Sequence, residues 1–266
     1  MRLKDRVAIV VGAGQSEGEG IGNGRATALT FAREGARVLC VDHKLASAEQ
    51  TVDMIAGTGG TAVAFKADVT RNAEIEAMAA EAMSRWGRID ILHNNVGVSL
   101  SGGDAELLAI TEEAFDRCVA INLKSCILTA RHVIPIMRQQ RRGAIVNISS
   151  MAAITTYPFV AYKATKSAMI AFTEQLAYQN AEYGIRANVI LPGLMDTPMA
   201  VDTRAREYHK SRAEVAAERD SKVPLRRKMG TAWDVANAAL FLCSDEANFI
   251  TGVTLPVDGG ASVRRG

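Results

Sequence analysis

The chain has 266 residues, 48% hydrophobic and 23% charged, which suits one large α/β domain and excludes a disordered polymer. The net charge of +2 is small, and the short clusters Arg226-Arg227-Lys228 and Arg264-Arg265 read as solvated surface, not as a nucleic-acid face. Cys40, Cys118, Cys126 and Cys243 show no CxxC spacing, and His43, His93, His132 and His209 are scattered. With no signal-peptide pattern and no apolar run of about 20 residues, these features predict a cytoplasmic, membrane-free protein with reduced thiols and no metal site.

In chain order, short apolar runs rich in β-branched residues predict strands at 7–11, 37–41, 61–65, 89–93, 144–148, 187–191 and 254–257. Between them, apolar residues at three- and four-residue spacing predict helices over 25–34, 73–86, 112–138, 164–183 and 232–243. Strands that are apolar throughout are buried on both faces, so the sheet is parallel and covered by helices on both sides. The predicted fold is a single-domain, Rossmann-type, doubly wound α/β structure with seven parallel strands, spanning residues 1–266, with ligands at the carboxyl ends of the strands. The charged helical stretch 196–222 interrupts this pattern, and an insertion there predicts a substrate lid over about 195–225.

The first strand runs into a glycine-rich segment in which Gly12, Gly14, Gly20 and Gly22 are the candidates for a phosphate loop. Glycine allows the tight turn and the close backbone approach that a pyrophosphate at a helix N-terminus needs. Asp42 ends the second strand, where a carboxylate accepts the ribose hydroxyls of an adenosine and repels a 2′-phosphate, favouring NAD over NADP. His43 and Lys44 follow and soften that preference. Asp68, followed by Val69, closes the third strand, placed either to bond the adenine or to cap a helix. Tyr162 and Lys166 are four apart on a helical pattern and share a face. An ammonium beside a phenol lowers its pKa, which predicts an activated tyrosine.

Further motifs follow in order: Asn94-Asn95-Val96-Gly97, Asn122, Asn147-Ile148-Ser149-Ser150, Tyr162-Lys163-Ala164-Thr165-Lys166, Pro192-Gly193 with Thr197, and Val257-Asp258-Gly259-Gly260. With these, the chain resembles a short-chain dehydrogenase/reductase over nearly its full length. The resemblance implies NAD-dependent hydride transfer between an alcohol and a ketone, with Asn122, Ser150, Tyr162 and Lys166 as the catalytic set. It makes Tyr162 the general acid/base, has Lys166 bind the nicotinamide ribose, and has Asn122 hold a relay water. It places Ile21, Asn95, Val96, Gly97, Pro192, Gly193, Met195 and Thr197 along the cofactor. Counting forward from the strand motif selects Ser150, whereas the family's usual spacing back from Tyr162 selects Ser149. Strand register is the firmer guide, so Ser150 is chosen.

Two departures stand out. Val11 occupies a position where threonine is usual, and the phosphate loop is long, with Gly20-Ile21-Gly22 or Gly22-Asn23-Gly24 as its closing turn. Glu17 and Glu19 in that loop would repel a pyrophosphate, so they are expected to face solvent. The substrate pocket is expected from residues 98–100, Ala152, Tyr157, Phe159, Leu194 and Met199 onward, mostly apolar and suited to a neutral alcohol or ketone. Arg204, Arg206, His209 and Lys210 read as a solvated lid face, with anion binding as the second reading. The rival functions are an NAD(H)-sensing regulatory protein and a 3-oxoacyl thioester reductase. Pairing through helices 112–138 and 164–183 predicts a homotetramer, with a dimer as the alternative.

Overall fold

The computed structural model describes residues 1–264; Arg265 of the terminal basic cluster and Gly266 lie outside the described residues. Strands β1 (Val7–Val11), β2 (Arg37–Asp42) and β3 (Thr61–Lys66) alternate with helices α1 (Asn23–Arg33), α2 (Leu45–Ala56) and α3 (Asn72–Trp86). Next come β4 (Ile91–Asn94), α4 (Glu112–Val119), α5 (Ser125–Gln140), β5 (Gly143–Ile148), α6 (Val160–Asn180) and β6 (Ile185–Pro192). The chain closes with β7 (Met195–Asp196), α7 (Thr203–Glu207), α8 (Arg212–Asp220), β8 (Gly230–Thr231), α9 (Ala232–Cys243) and β9 (Thr254–Val257). The main sheet has seven parallel strands in the order β3-β2-β1-β4-β5-β6-β9, as the apolar runs predict. The short strands β7 and β8 pair with each other.

Side chains alternate across the sheet. Ala8 and Val10 of β1 pack with Phe31, Ile55 and Leu240, carried by α1, α2 and α9. Ile9 and Val11 pack on the other face with Ile75, Met78, Val133 and Leu176, carried by α3, α5 and α6. Every residue of β1, β4 and β5 is buried, whereas edge strand β3 is only half-buried. The order reverses between β1 and β4, so the carboxyl ends of the strands open there into the crevice where such folds bind ligands.

Three helices depart from the sequence reading. The single helix expected over 112–138 is broken by a π turn at Ala120–Lys124, which carries Asn122. Helix α2 falls outside the helices read from the sequence. Helix α6 begins at Val160, four residues before the expected start, because the buried Asp104 carboxylate caps it from 58 residues away. Its two oxygens accept the Ala161 and Tyr162 N–H groups, each at 2.9 Å. The composite helix Glu112–Gln140 has the length and apolarity of a membrane span, yet Cys126, Ala130, Val133 and Met137 on its inner face are buried in the domain core.

Candidate active site

The loop after β1 turns through Gly12 at φ +81°, a conformation that favours glycine. A Cβ on Gly14 would meet Ser47 Oγ at 2.5 Å, and one on Gly24 would fall 1.8 Å from the Gly12 carbonyl. The backbone therefore lies flat on the sheet end and α1 packs directly against it. Gly22 caps α1 with no side-chain hydrogen bond, and the first turn holds no acidic residue. Its N–H groups and dipole thus face the crevice without a competing carboxylate, as a bound pyrophosphate requires. The residues present fit a dinucleotide.

The lengthened loop is folded, not loose. Gln15 spans it, accepting from Gly22 N at 3.1 Å and donating to Gly20 O at 3.3 Å. Gly20-Ile21-Gly22 is the turn that leads into α1, while Gly24, absent from the sequence-predicted contacts, gives the close helix–strand packing. Ile21 packs on Ala26, Ala232 and Ala236. Glu17 and Glu19 point outward, their side chains 90% and 82% exposed. The loop is docked on the lid: Glu19 N donates to Asp202 Oδ1 at 3.1 Å and Arg206 donates to Glu17 O at 3.3 Å.

Asp42 ends β2 beside this loop, accepting from Gly14 N at 3.1 Å and Lys44 N at 3.0 Å. Asp68 accepts from Thr70 N and Thr70 Oγ1 in a local turn, which lowers its pKa, and Val69 beside it is buried. Asn95 donates to Gly12 O at 3.2 Å, tying the β4 end to the glycine loop, and Val96 touches the same turn. Thr197 caps the next turn through Ala200 N, and Met195 is buried against Gly230. Their side chains are thus committed within the protein. Gly193 donates to Val257 O at 2.9 Å and, with Pro192, borders the cavity described next.

A cavity of about 280 Å³ lies at the carboxyl ends of β5 and β6, walled by Ser150, Tyr162 and the lid. Ser150 and Tyr162 border the cavity together, and Ser150 accepts from Ala152 N at 3.1 Å. Ser149 is turned away and buried, donating to Lys166 O at 2.7 Å. Lys166 Nζ donates to Ile148 O at 2.7 Å and sits 5.7 Å from the Tyr162 ring centroid. A Cβ on Gly97 would lie 3.1 Å from that ammonium and 3.6 Å from Asn122 Oδ1, so a side chain there would press on Lys166. Asn122 clamps Val98, accepting from its N–H at 2.7 Å and donating to its carbonyl at 2.9 Å, and also reaches Thr165 Oγ1 at 3.1 Å. A π turn at a functional position is the usual place for such an inserted residue.

The electrostatics differ from the sequence expectation. Burial pushes the Tyr162 hydroxyl up to about 12, against the opposing pull of the neighbouring Ser150 hydroxyl and the Arg204 charge. The ammonium, held by a carbonyl above the ring, does not bring it down. Burial also lowers Lys166 to about 8. In this environment desolvation outweighs pairing for both groups.

Of the expected pocket residues, Ser99, Leu100, Ala152, Tyr157, Leu194 and Met199 line the cavity. Val98 is instead held by Asn122, and Phe159 stacks edge-on against Tyr157 at 5.5 Å. Arg206 and Lys210 belong to the solvated lid face, as read; Lys210 pairs with Glu218 at 3.3 Å. Arg204 does not, because the docked lid turns it into the cavity wall together with Arg219, which the sequence reading missed.

A family model described as enoyl-(acyl carrier protein) reductase matches residues 14–262. The chain is 35% identical over 263 residues to 3-oxoacyl-[acyl-carrier-protein] reductase FabG of Thermotoga maritima, covering 98% of this chain and 99% of that protein. It is also 35% identical to 2,5-dichloro-2,5-cyclohexadiene-1,4-diol dehydrogenase LinX of Sphingobium indicum, covering 98% of each. Among solved structures, levodione reductase superposes with a TM-score of 0.92 at 32% identity, covering 99% of this chain and 100% of that one.

Proposed function

Because the chain belongs to the short-chain dehydrogenase/reductase family of oxidoreductases, we propose that it moves a hydride between NAD(H) and the carbinol or carbonyl carbon of a small alcohol, sugar or ketone. The observation that carries this reading is one cavity lined by both Ser150 and Tyr162, with Lys166 and Asn122 directly behind them. Gly12, Gly14, Gly20 and Gly22 would cradle the pyrophosphate arm, Ile21 would lie near the nicotinamide, and Asp42 would hold the adenosine ribose, with Asp68 and Val69 towards the adenine. Asn95, Val96, Gly97, Pro192 and Gly193 would border the nicotinamide half, and Met195 and Thr197 would contribute main-chain groups there.

When bound, the nicotinamide supplies or accepts the hydride. Ser150 Oγ holds the substrate oxygen, and Tyr162, which keeps its proton at neutral pH, delivers it to that oxygen as negative charge develops. In the reverse direction Tyr162 first passes its own proton on, and the phenolate oxygen then takes the one that the substrate hydroxyl releases. Lys166, its proton affinity lowered by burial to about 8, is next in line to exchange that proton. Asn122 positions the Val98 backbone and the relay side of Lys166.

The lid over 195–225 would close the substrate in. Four free, buried cysteines accord with a reducing compartment. The exposed apolar residues Phe115, Ile127 and Tyr178 on α4, α5 and α6 supply the faces through which a homotetramer would assemble; a monomer by light scattering would refute this. The functional test follows reduction of NAD, and separately NADP, in the presence of sugars, secondary alcohols, cyclic diols and a 3-hydroxyacyl thioester. Reduction of NAD by one class supports the reading. Tight NAD binding with no turnover would move the assignment to a cofactor sensor.

A further inference from the structure

The cavity that holds Ser150 and Tyr162 is also lined by two lid side chains, Arg204 on α7 and Arg219 on α8. Both are half-buried, and Arg219 feels the positive charge of Arg204, which also acts on Tyr162. Among the described residues no carboxylate lies within 4 Å of either guanidinium. The acids nearest Arg219 are engaged elsewhere: Asp196 pairs with Arg212 at 2.5 Å, and Glu218 with Lys222 at 2.8 Å and Lys210 at 3.3 Å. A guanidinium has five N–H donors. The protein takes one from Arg204, to Ala200 O at 3.0 Å, and one from Arg219, to Met229 Sδ at 3.4 Å.

Two like charges held together in a partly apolar cavity destabilise each other and the fold unless an anion joins them. Of the other lid arginines, Arg206 stands exposed in solvent, whereas the half-buried Arg212 has three carboxylates within 4 Å, from Asp196, Asp202 and Glu19. The lid thus has acids to spend, and none is spent on the two arginines that face the cavity. Planar guanidinium groups bind oxyanions in a bidentate manner.

We propose that the substrate carries an oxyanion, a carboxylate, sulfonate or phosphate, held by Arg204 and Arg219 while its carbinol or carbonyl group lies at Ser150 and Tyr162. This deepens the dehydrogenase reading and rests on it. The cavity's small volume, about 280 Å³, suits a compact hydroxy or oxo acid with a short spacer between the two ends. Arg219, the more remote from Tyr162, is the specificity residue to test.

The experiment pairs a hydroxy carboxylate, a hydroxy alkylsulfonate and a hydroxyalkyl phosphate with the methyl ester or plain alcohol of the same chain, using the full-length protein with its cofactor. At least one anion should exceed its neutral partner in kcat/KM by about tenfold or more, the magnitude expected of a charged hydrogen bond. The arm that responds identifies the oxyanion. In Arg219→Gln that ratio should collapse towards one, and Arg219→Lys should restore part of it, with circular dichroism confirming the fold of each. Neutral partners used as well as the anions, with a ratio unmoved by Arg219→Gln, would overturn the proposal and leave the dehydrogenase reading standing. If no pair turns over, calorimetric titration with the corresponding oxo acids separates the two. Binding lost in Arg219→Gln would support the anion site while the redox reading fails, and no binding to the wild type would overturn the anion site.

Discussion

Lys166 offers the sharpest test of the electrostatic account, because burial sets its protonation in a direction that folding stability reports. Its side chain is almost fully buried and its pKa falls from 10.5 to about 8. The unfolded chain therefore binds a proton that the folded chain resists between those values. Above about pH 10.5 the cost is absent; it grows as pH falls and is complete below about pH 8. Worked through the linkage relation, the cost is about 3 kcal/mol at about pH 7 and about 1 kcal/mol at about pH 9.5, a gain of about 2 kcal/mol across that interval. Lys166→Met keeps the length of the side chain and abolishes the titration. Urea unfolding of both proteins at the two pH values isolates the effect: Ile148 O loses its donor at both, and the thiols and phenols other than Cys126, which burial pushes up and Lys166 pulls down, titrate alike in each. The wild type should gain about 2 kcal/mol relative to the variant as pH rises. Parallel stability curves would show that Lys166 is not a desolvated cation.

Three further outcomes follow from the packing. His93 is fully buried with neither ring nitrogen hydrogen-bonded, and burial lowers its pKa to about 3. The wild type should lose roughly 3 kcal/mol as pH falls from about 6.5 to about 4, and His93→Leu should remove that loss in urea titrations. Gly24→Ala forces a methyl into the Gly12 carbonyl; it should cost about 1–3 kcal/mol in a denaturant melt and weaken NADH binding measured by fluorescence. Asp42→Ala removes the carboxylate beside Gly14 and should shift the NAD-to-NADP ratio of kcat/KM towards NADP by about tenfold or more; an unchanged ratio would show that Asp42 does not select the cofactor.

The layers of this fold were legible because each strand is a continuous apolar run and each long helix repeats at helical spacing. The candidate site was legible where it depends on local geometry. Gly12 and Gly14 stand at a strand end, and Tyr162 and Lys166 lie one helical turn apart. Strand register at β5 selected Ser150, and the structure places that hydroxyl in the cavity while Ser149 bonds the α6 backbone. What escaped depends on partners remote in sequence. The first turn of α6 is capped by Asp104, so no local signal marked it. The π turn at Asn122 hides inside an unbroken amphipathic pattern. Arg204 looks like any lid arginine until Arg212, Asp202 and the glycine loop dock the lid and turn it inward. The tyrosine pKa was misread because four-residue spacing predicts the neighbour but not the depth of burial, and depth decides the sign.

The most direct test compares wild type and Tyr162→Phe with NAD and whichever alcohol turns over, following nicotinamide reduction while measuring NAD binding separately. Tyr162→Phe should bind NAD as the wild type does and lose nearly all turnover, since only the proton-transferring hydroxyl is gone. A variant that retains wild-type turnover would contradict the assignment of Tyr162 as the acid/base and, with it, the proposed site.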